Sequence, residues 1–314
     1  MSSLLIASLE PGEGRSAVAA GLAASLPGKT KVRLLRLRSG ATADANAEDD
    51  ARAFAAVPGV DAHRGAVSEQ DAQAQAKDAA VAVIEAPAGA PGDLAAKLGA
   101  RVVLVSSRGD DTRLADLASA ASALGDALLG VIVTRQQPRR IEAVRQALAT
   151  RGLTCLGVIP EDRQLAGPTI REMAEALQAS RLVDRADEDE AVEQVMLAPI
   201  SADPGQPYFL QQPGHKAVVA RSDKMDLHLA ALATEPDCLI LTSARPVHPY
   251  LLDRVQGSDF DVTVLSSPET TVRAVEILDD LLGRTRFSGT RKLDRAIELV
   301  HAHVDLAAVA AALA

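Results

Sequence analysis

The sequence predicts an α/β fold with two successive domains, the first a parallel sheet covered by helices and the second a smaller α/β unit. Apolar runs of strand length alternate with helical patterns from residue 4 onward, which is typical of right-handed βαβ units. A glycine-containing loop separates the first apolar run from the first helix. The alternation restarts after an acidic stretch near residue 187, and this restart indicates a second, smaller domain.

Composition limits the classes of function. The 314 residues are 47% apolar and 24% charged, which is the balance of a globular protein. A net charge of −9 disfavours nucleic acid and anionic membranes as partners. The apolar run Leu4–Leu9 is too short to span a bilayer, so a cytoplasmic protein is expected. Cys155 and Cys238 adjoin apolar runs and are expected to be small buried residues.

The first domain is expected over residues 1–183. Its predicted strands are Leu4–Leu9, Val32–Leu37, Ala80–Ile84, Val102–Val105, Leu129–Val133 and Leu156–Ile159. Its predicted helices include Ser16–Leu26, Leu94–Leu98, Thr112–Leu124, Arg140–Arg151 and Thr169–Gln178. Residues 41–77 are polar, with helix-like pieces, and are interpreted as insertions.

Residues 184–191 predict an exposed acidic linker, and residues 192–314 predict the second domain with a C-terminal helix. The strands of this domain are predicted at Val192–Ile200, Ala217–Ala220, Leu239–Thr242 and Val262–Leu265, and its helices at Lys224–Ala233, His248–Val255 and Glu269–Leu282. Apolar residues at helical spacing continue from Lys292 to Ala314.

The loop after the first strand has the layout of a phosphate-binding loop. Gly12 and Gly14 leave room for backbone N–H groups to approach a phosphate, and the following helix N-terminus favours an anion. Ser16 stands where such a loop has a magnesium-ligating hydroxyl. The residue before it is Arg15, whereas a working loop normally has Lys, and the two cations are not interchangeable. Altered function, weakened binding and loss of function are all open.

Two further strand ends provide candidates for the same site. Glu85 follows the strand Val81–Ile84, where folds of this type place a carboxylate near Mg²⁺. Thr134 ends a later strand and is the candidate for a purine contact. The predicted nucleotide-binding residues are Glu10, Gly12, Glu13, Gly14, Arg15, Ser16, Ala17, Glu85 and Thr134. Ser16 and Glu85 are the predicted magnesium ligands, binding of Mg-ATP is expected to be weak or absent, and no catalytic residue is assigned.

The same glycines permit a dinucleotide-binding interpretation. Gly12 and Gly14 follow a strand and open a helix, and Arg36 or Arg38 would then meet a 2′-phosphate. The third glycine of that pattern is replaced by Ala17, and an Arg-Ser pair directly follows the second glycine. The phosphate loop is therefore favoured, and a dinucleotide module stays as an alternative.

The segment 156–174, LGVIPEDRQLAGPTIREMA, closely resembles the end of the dethiobiotin-synthetase-like P-loop domain. That domain stands at the N-terminus of long bacterial phosphate acetyltransferases and in stand-alone proteins with a following DRTGG domain. Residues 6–11 resemble the first strand and loop of the family, and residues 216–219, 226–232 and 239–242 resemble its DRTGG domain. The resemblance covers nearly the whole chain, and it implies a context in acetyl-CoA and acetate metabolism.

The chain departs from this family at both candidate sites. The loop lysine is Arg15, the acid-arginine pair of the second domain is replaced around Arg221–Lys224, and the Thr-Gly-Gly turn reads Thr242-Ser243-Ala244. The ends of neighbouring strands are expected to bring these two segments of the second domain together. The predicted second ligand site comprises Ser222, Asp223, Lys224, Asp226, Thr242, Ser243 and Arg245.

These observations favour a regulatory or interaction protein with a degenerate nucleotide-binding domain over an enzyme, since the acetyltransferase catalytic domain is missing. The expected partners are a nucleotide or a small phosphorylated metabolite, a second copy of the chain in a homodimer, and a metabolic enzyme. The alternative is an active ATP-dependent enzyme of the dethiobiotin-synthetase type, in which Arg15 replaces the lysine and Ser16 and Glu85 hold Mg²⁺.

Overall fold

The computed structural model describes residues 2–26, 32–38, 45–89, 91–199, 212, 214–243, 246–257, 259 and 261–314. The chain forms two compact units, one of Met1–Asp162 with Arg286–Ala314 and one of Arg163–Thr285. Each unit is a sheet with helices, and the predicted α/β class is confirmed. Among the residues just given, no helix has both the length and the apolar character needed to cross a bilayer.

The first unit contains a seven-stranded parallel sheet. Its strands are β1 (Ser2–Ala7), β2 (Val32–Arg36), β3 (Asp61–Ala62), β4 (Val81–Glu85), β5 (Ala100–Ser106), β6 (Leu128–Gln136) and β7 (Cys155–Pro160), in the order β3-β2-β4-β1-β5-β6-β7. Strand β1 lies between β4 and β5, with Leu5 opposite Ile84 and Val102. The chain turns to opposite sides of the sheet after β1 and after β4, so the carboxyl end of β1 lies at a topological switch point.

Helices connect most of these strands. They are α1 (Arg15–Ser25), α2 (Ala45–Phe54), α3 (Glu69–Lys77), α4 (Gly92–Leu98), α5 (Asp111–Leu124) and α6 (Ile141–Thr150). One core cluster joins Leu5 and Ala7 of β1 to Leu114 of α5 and Val144 of α6. The intervening residues of β1 are fully buried as well, because both faces of a parallel sheet are covered.

The second unit has a five-stranded sheet in the order β8-β12-β11-β10-β9, in which β8 alone runs antiparallel to its described neighbour. Its elements are α7 (Arg163–Ala166), α8 (Ile170–Ala176), β8 (Ser180–Val183), β9 (Gln194–Leu197), β10 (Lys216–Arg221), α9 (Met225–Leu232), β11 (Cys238–Thr242), α10 (Pro249–Gln256), β12 (Thr263–Ser266) and α11 (Thr271–Leu281). One core contains residues of α9 and α10, and the other contains residues of α8 and α11, so each face of the sheet has its own helical layer.

The acidic segment 184–191 differs from the expected exposed linker. Arg171 forms ion pairs with Glu188 and with Asp189, the latter at 2.8 Å, and Arg181 also contacts Glu188. Glu190 is buried. Arginines from α8 and β8 neutralise the carboxylates, so the segment packs inside the second unit, and the observed division falls after residue 162 instead of residue 183.

The C-terminal helices differ from the expected domain assignment in the same way. Helices α12 (Thr290–His303) and α13 (Leu306–Ala311) belong to the first unit, with α12 packed on α1. A Cβ at Gly21 of α1 would lie 2.5 Å from Val300 Cγ2, so a glycine is required for this close helix contact. The amphipathic face of α12 predicts a helix but not which sheet it covers, and the small surface of α1 provides the complementary groove.

Candidate functional site

The phosphate-binding loop connects β1 to α1 at the switch point of the first sheet. Gly12 and Gly14 have φ angles of 74° and 87°, a region that favours glycine. A Cβ at Gly14 would lie 3.2 Å from the Thr134 hydroxyl oxygen, which itself donates a hydrogen bond to the Glu13 carbonyl at 3.0 Å. Thr134 therefore lies against the loop backbone, and the sequence-based grouping of these residues describes one place in the fold.

Arg15 is turned into the protein. Its side chain is 9% exposed, its Nη1 donates to the Ala86 carbonyl oxygen at 2.5 Å, and its Nε lies 3.9 Å from Glu85 Oε1. Burial lowers the pKa of the guanidinium from its ordinary value, although Glu85 opposes this effect. The guanidinium that the loop retains is thus directed at a carbonyl and at the acid at the end of β4 instead of into the loop.

Glu85 is the centre of a buried charge cluster. The Ser16 hydroxyl donates to Glu85 Oε1 at 3.1 Å, and Glu85 Oε2 lies 3.5 Å from Arg36 Nε. Arg36 Nε also lies 3.2 Å from Asp50 Oδ2. Burial, with a smaller contribution from Asp50, raises the pKa of Glu85 to about 7 against the opposing effects of the two arginines. Burial likewise raises the pKa of Asp50.

This cluster bears on the two alternatives left open by the sequence. Ser16 and Glu85 do lie together, and a hydroxyl with a carboxylate is the oxygen donor set that Mg²⁺ prefers. Glu85 Oε2 is buried without a hydrogen bond, so it has an accepting position left. Arg36 is buried and bound to Asp50 and Glu85, which removes it from the role of a 2′-phosphate ligand.

The loop also carries two carboxylates, both bound by one arginine that the sequence analysis did not identify. Arg113 of α5 is buried and lies 3.3 Å from Glu13 Oε1, and it also pairs with Glu10. Burial raises the pKa of Glu13, an effect that Arg113 opposes. Glu10 is more than half exposed and Ala17 is partly buried in the first turn of α1. The loop therefore presents negative charge close to where phosphates would bind.

A cavity of about 190 Å³ opens at the same edge of the first sheet, beyond Thr134. Its wall comes from the ends of β5, β6 and β7 and from the start of α6, and it includes Arg108, Asp110, Arg135, Gln137, Arg140 and Glu161. None of these residues was predicted, because the strand ends that meet here are separated by many residues in the sequence. Runs of polar residues directly after predicted strands are the signal that could have identified them.

The second predicted site is only partly assembled by the described residues. The Ser222 hydroxyl donates to the Thr242 carbonyl at 2.8 Å, so the ends of β10 and β11 do converge. Thr242 is buried and its hydroxyl contacts Thr271, while Asp223 pairs with Arg221 at 2.7 Å. Asp226 is exposed, Lys224 is partly exposed, and Arg245 lies outside the described residues. The hydroxyls of Ser222 and Thr242 are thus engaged within the sheet edge.

Ser243 and a buried histidine complete this edge. Ser243 has a φ of 75°, in the left-handed region, and its N–H donates to the Glu269 carbonyl at 2.7 Å. His228 of α9 contacts the Arg221 carbonyl at 2.8 Å through Nε2, and burial lowers its pKa. In the described ranges no cluster of three or more His, Cys, Asp or Glu residues is placed to hold a metal ion.

Family models match both halves of the chain. Residues 172–281 match the DRTGG domain, and residues 90–169 match an AAA domain of the dethiobiotin-synthetase-like P-loop type. The DRTGG match lies in the second unit. The AAA match covers β5 to β7 of the first unit but not the phosphate-binding loop. These two matches confirm the sequence resemblance to a dethiobiotin-synthetase-like P-loop domain that is followed by a DRTGG domain.

Solved structures with local similarity come from three organisms. The nucleotide-binding protein of Archaeoglobus fulgidus in complex with ADP is 14% identical, with a TM-score of 0.36, over 51% of this chain and 82% of that one. The MinC:MinD cell division protein complex of Aquifex aeolicus is 15% identical, with a TM-score of 0.38, over 52% of this chain and 84% of that one. The CBS and DRTGG domains of the Clostridium perfringens pyrophosphatase, complexed with diadenosine tetraphosphate, are 11% identical, with a TM-score of 0.31. This similarity covers 48% of this chain and 72% of that one.

Proposed function

We propose that this chain is a regulatory or interaction protein whose P-loop domain binds a nucleotide weakly and does not hydrolyse it. The observation that carries the proposal is the position of Arg15, whose guanidinium is bound by Glu85 and by the Ala86 carbonyl. A phosphate chain would have to compete with these partners for the only cation in the loop sequence itself. The two loop carboxylates, Glu10 and Glu13, add to that electrostatic cost.

The remaining attraction for an anion is small. The N-terminus of a helix such as α1 contributes about 0.3–1 kcal/mol toward an anion, and up to about 2 kcal/mol when the site is partly buried. A ligand present at about 100 times its dissociation constant would stabilise the protein by about 2.7 kcal/mol. We therefore expect millimolar Mg-ATP to raise the melting temperature by no more than one or two degrees.

The proposal further places the chain in the cytoplasm, as a homodimer that acts on an enzyme of acetyl-CoA or acetate metabolism. Support for this part comes from the sequence resemblance to the N-terminal region of phosphate acetyltransferases. The DRTGG match adds the second half of that arrangement. Size-exclusion chromatography with light scattering tests the dimer, and a monomer at micromolar concentration would contradict it.

The contact between Ser16 and Glu85 favours one second candidate, an active ATP-dependent enzyme of the dethiobiotin-synthetase type. A hydroxyl 3.1 Å from a carboxylate is an arrangement from which both groups can reach one Mg²⁺ ion or its waters. The two candidates differ in steady phosphate release from Mg-ATP. Continuous release by the parent protein, together with a large Mg-ATP thermal shift, would overturn the regulatory proposal.

Arg15→Lys is the variant that tests the loop directly. Lysine keeps the charge but replaces the wide guanidinium fork by a flexible ammonium, which releases the Ala86 carbonyl. We expect the variant to bind Mg-ATP at least several-fold more tightly than the parent in isothermal titration calorimetry. The matched control is Arg101→Lys, at an exposed position at the opposite end of β5. Equal and negligible binding by both variants would mean that the loop is no longer a nucleotide site.

A further inference from the structure

The buried charge cluster beside the phosphate-binding loop contains the oxygen donors of a metal site, but a guanidinium lies between them. Arg36 Nε of β2 is 3.2 Å from Asp50 Oδ2 of α2 and 3.5 Å from Glu85 Oε2 of β4. The Ser16 hydroxyl, which donates to Glu85 Oε1 at 3.1 Å, adds a third oxygen to the cluster. The guanidinium thus occupies the point at which a divalent cation would meet two carboxylates.

Arg36 is fixed in this position by the main chain. Its side chain is 6% exposed, and its Nη1 donates to the Leu37 carbonyl at 2.7 Å. Arg15 is held in the same way by the Ala86 carbonyl, and its Nε lies 3.9 Å from the other carboxylate oxygen of Glu85. Neither guanidinium can move away from an incoming cation without giving up a buried hydrogen bond.

The charges of the cluster are matched by one another. In the described part of the chain, the ion pairs of Arg15 and Arg36 are formed with Asp50 and Glu85 alone. A divalent ion would bring two further positive charges next to these guanidinium groups, and repulsion is strong where water is excluded. An uncharged side chain in place of Arg36 would instead leave one net negative charge and two converging carboxylates.

We propose that Arg36 takes the place of a divalent cation beside the phosphate-binding loop, so that this loop receives its phosphate ligand without a protein-bound metal ion. The inference rests on the proposed function, since the ligand is the weakly bound nucleotide. Arg36 determines specificity here, because it keeps a metal ion away from the oxygens of Ser16, Asp50 and Glu85. The ligand class is therefore a nucleotide in its metal-free form, in contrast to the enzyme candidate, in which Ser16 and Glu85 hold Mg²⁺.

Binding of Mn²⁺ alone to the full chain tests the role of Arg36, with the free ion measured by electron paramagnetic resonance at pH 8. Arg36→Met keeps an apolar stem but removes the charge, and it should bind one Mn²⁺ at least about tenfold more tightly than the parent does. Asp50→Asn, added to that variant, should abolish the gain. The matched control is Arg33→Met, because Arg33 lies on the same strand and its only described ion pair is with Asp61. This control should bind Mn²⁺ no better than the parent.

Thermal unfolding covers a loss of stability in the variant. Arg36→Met should melt below the parent, because two carboxylates lose a buried partner, and Mn²⁺ should raise its melting temperature but not that of the parent. A variant that stays unfolded even in Mn²⁺ would overturn the proposal, as would equal Mn²⁺ binding by Arg33→Met and Arg36→Met. Saturable Mn²⁺ binding by the parent that is lost in Glu85→Gln would overturn it too.

Calorimetry with ADP separates this inference from the proposed function. The parent should bind ADP no more tightly in Mg²⁺ than in EDTA, whereas Arg36→Met should bind ADP more tightly in Mg²⁺. Tighter binding by the parent in Mg²⁺ would overturn the inference. Absence of ADP binding to the parent in both solutions would contradict the proposed function, and the Mn²⁺ measurements would still decide whether Arg36 replaces a divalent cation.

Discussion

Glu85→Gln provides a sharp test of the buried charge cluster next to the phosphate-binding loop. Glu85 is fully buried, and its pKa is raised from 4.5 in an unfolded chain to about 7 in the folded protein. A carboxyl whose pKa is raised by folding stabilises the protein fully below pH 4.5. That stabilisation is lost as the pH rises through about 7.

The size of this effect follows from the two pKa values. The change from 4.5 to about 7 corresponds to roughly 3 kcal/mol, at 1.36 kcal/mol for each pKa unit. Glutamine keeps the shape of the side chain and its contact with Ser16 but cannot ionise. The free energy of unfolding of the parent should therefore fall by about 3 kcal/mol more between pH 4.5 and pH 8 than that of Glu85→Gln.

The assay is urea denaturation followed by far-ultraviolet circular dichroism at both pH values, because the chain has no Trp. Only the difference between the two pH values enters the comparison, so a constant loss of stability in the variant cancels. Glu142→Gln, at an exposed position on α6, should behave as the parent does. Superimposable pH profiles for Glu85→Gln and the parent would refute the reasoning, since the arginines would then hold Glu85 ionised throughout.

Two further substitutions test the backbone and packing requirements of each unit. Ser243→Gly should stabilise the protein by about 0.5–1 kcal/mol and raise the melting temperature by a few degrees, because glycine relieves the left-handed strain at φ 75°. The control Ser243→Ala keeps that strain and should show no gain. Gly21→Ala should destabilise the first unit by about 1–3 kcal/mol despite the better helix propensity of alanine, because its Cβ would meet Val300 at 2.5 Å. Thermal unfolding measures both. Gly92→Ala, in a helix with open space around the position, is the neutral control, and the double variant with Val300→Ala should recover part of the loss.

The sequence is informative wherever the cause of a structure is local. The apolar runs of β1, β4 and β5 and the helical periodicity of α5 and α6 predict these elements within a few residues of their observed limits. The glycines of the phosphate-binding loop mark positions that need a left-handed backbone, and Gly12 and Gly14 have that conformation. At Ser243 the conformation is present although the glycine of the family pattern is not, and the Ser243 N–H is held there by a hydrogen bond to the Glu269 carbonyl in the loop after β12.

The candidate site was predictable in its location but not in its electrostatics. Adjacent parallel strands bring Ser16 and Glu85 together, and that follows from the strand order that the fold class implies. The charged residues that surround this pair and the loop cannot be predicted from the strand order. Arg113 is 100 residues from Glu13 and Asp50 lies in a polar segment without a strong pattern, so no local signal connects them to the loop.

Sequence by itself therefore determined the α/β class, the order of most elements and the position of the phosphate-binding loop, since these depend on periodicity and on backbone requirements of single residues. Tertiary structure alone decided that α12 and α13 complete the first unit and that the acidic segment 184–191 packs against Arg171 and Arg181. It also decided that Arg15 turns inward to Glu85 and the Ala86 carbonyl. The physical reason is the same in each case. Helix faces and charged side chains are compatible with many partners, and only the three-dimensional arrangement of distant segments selects one.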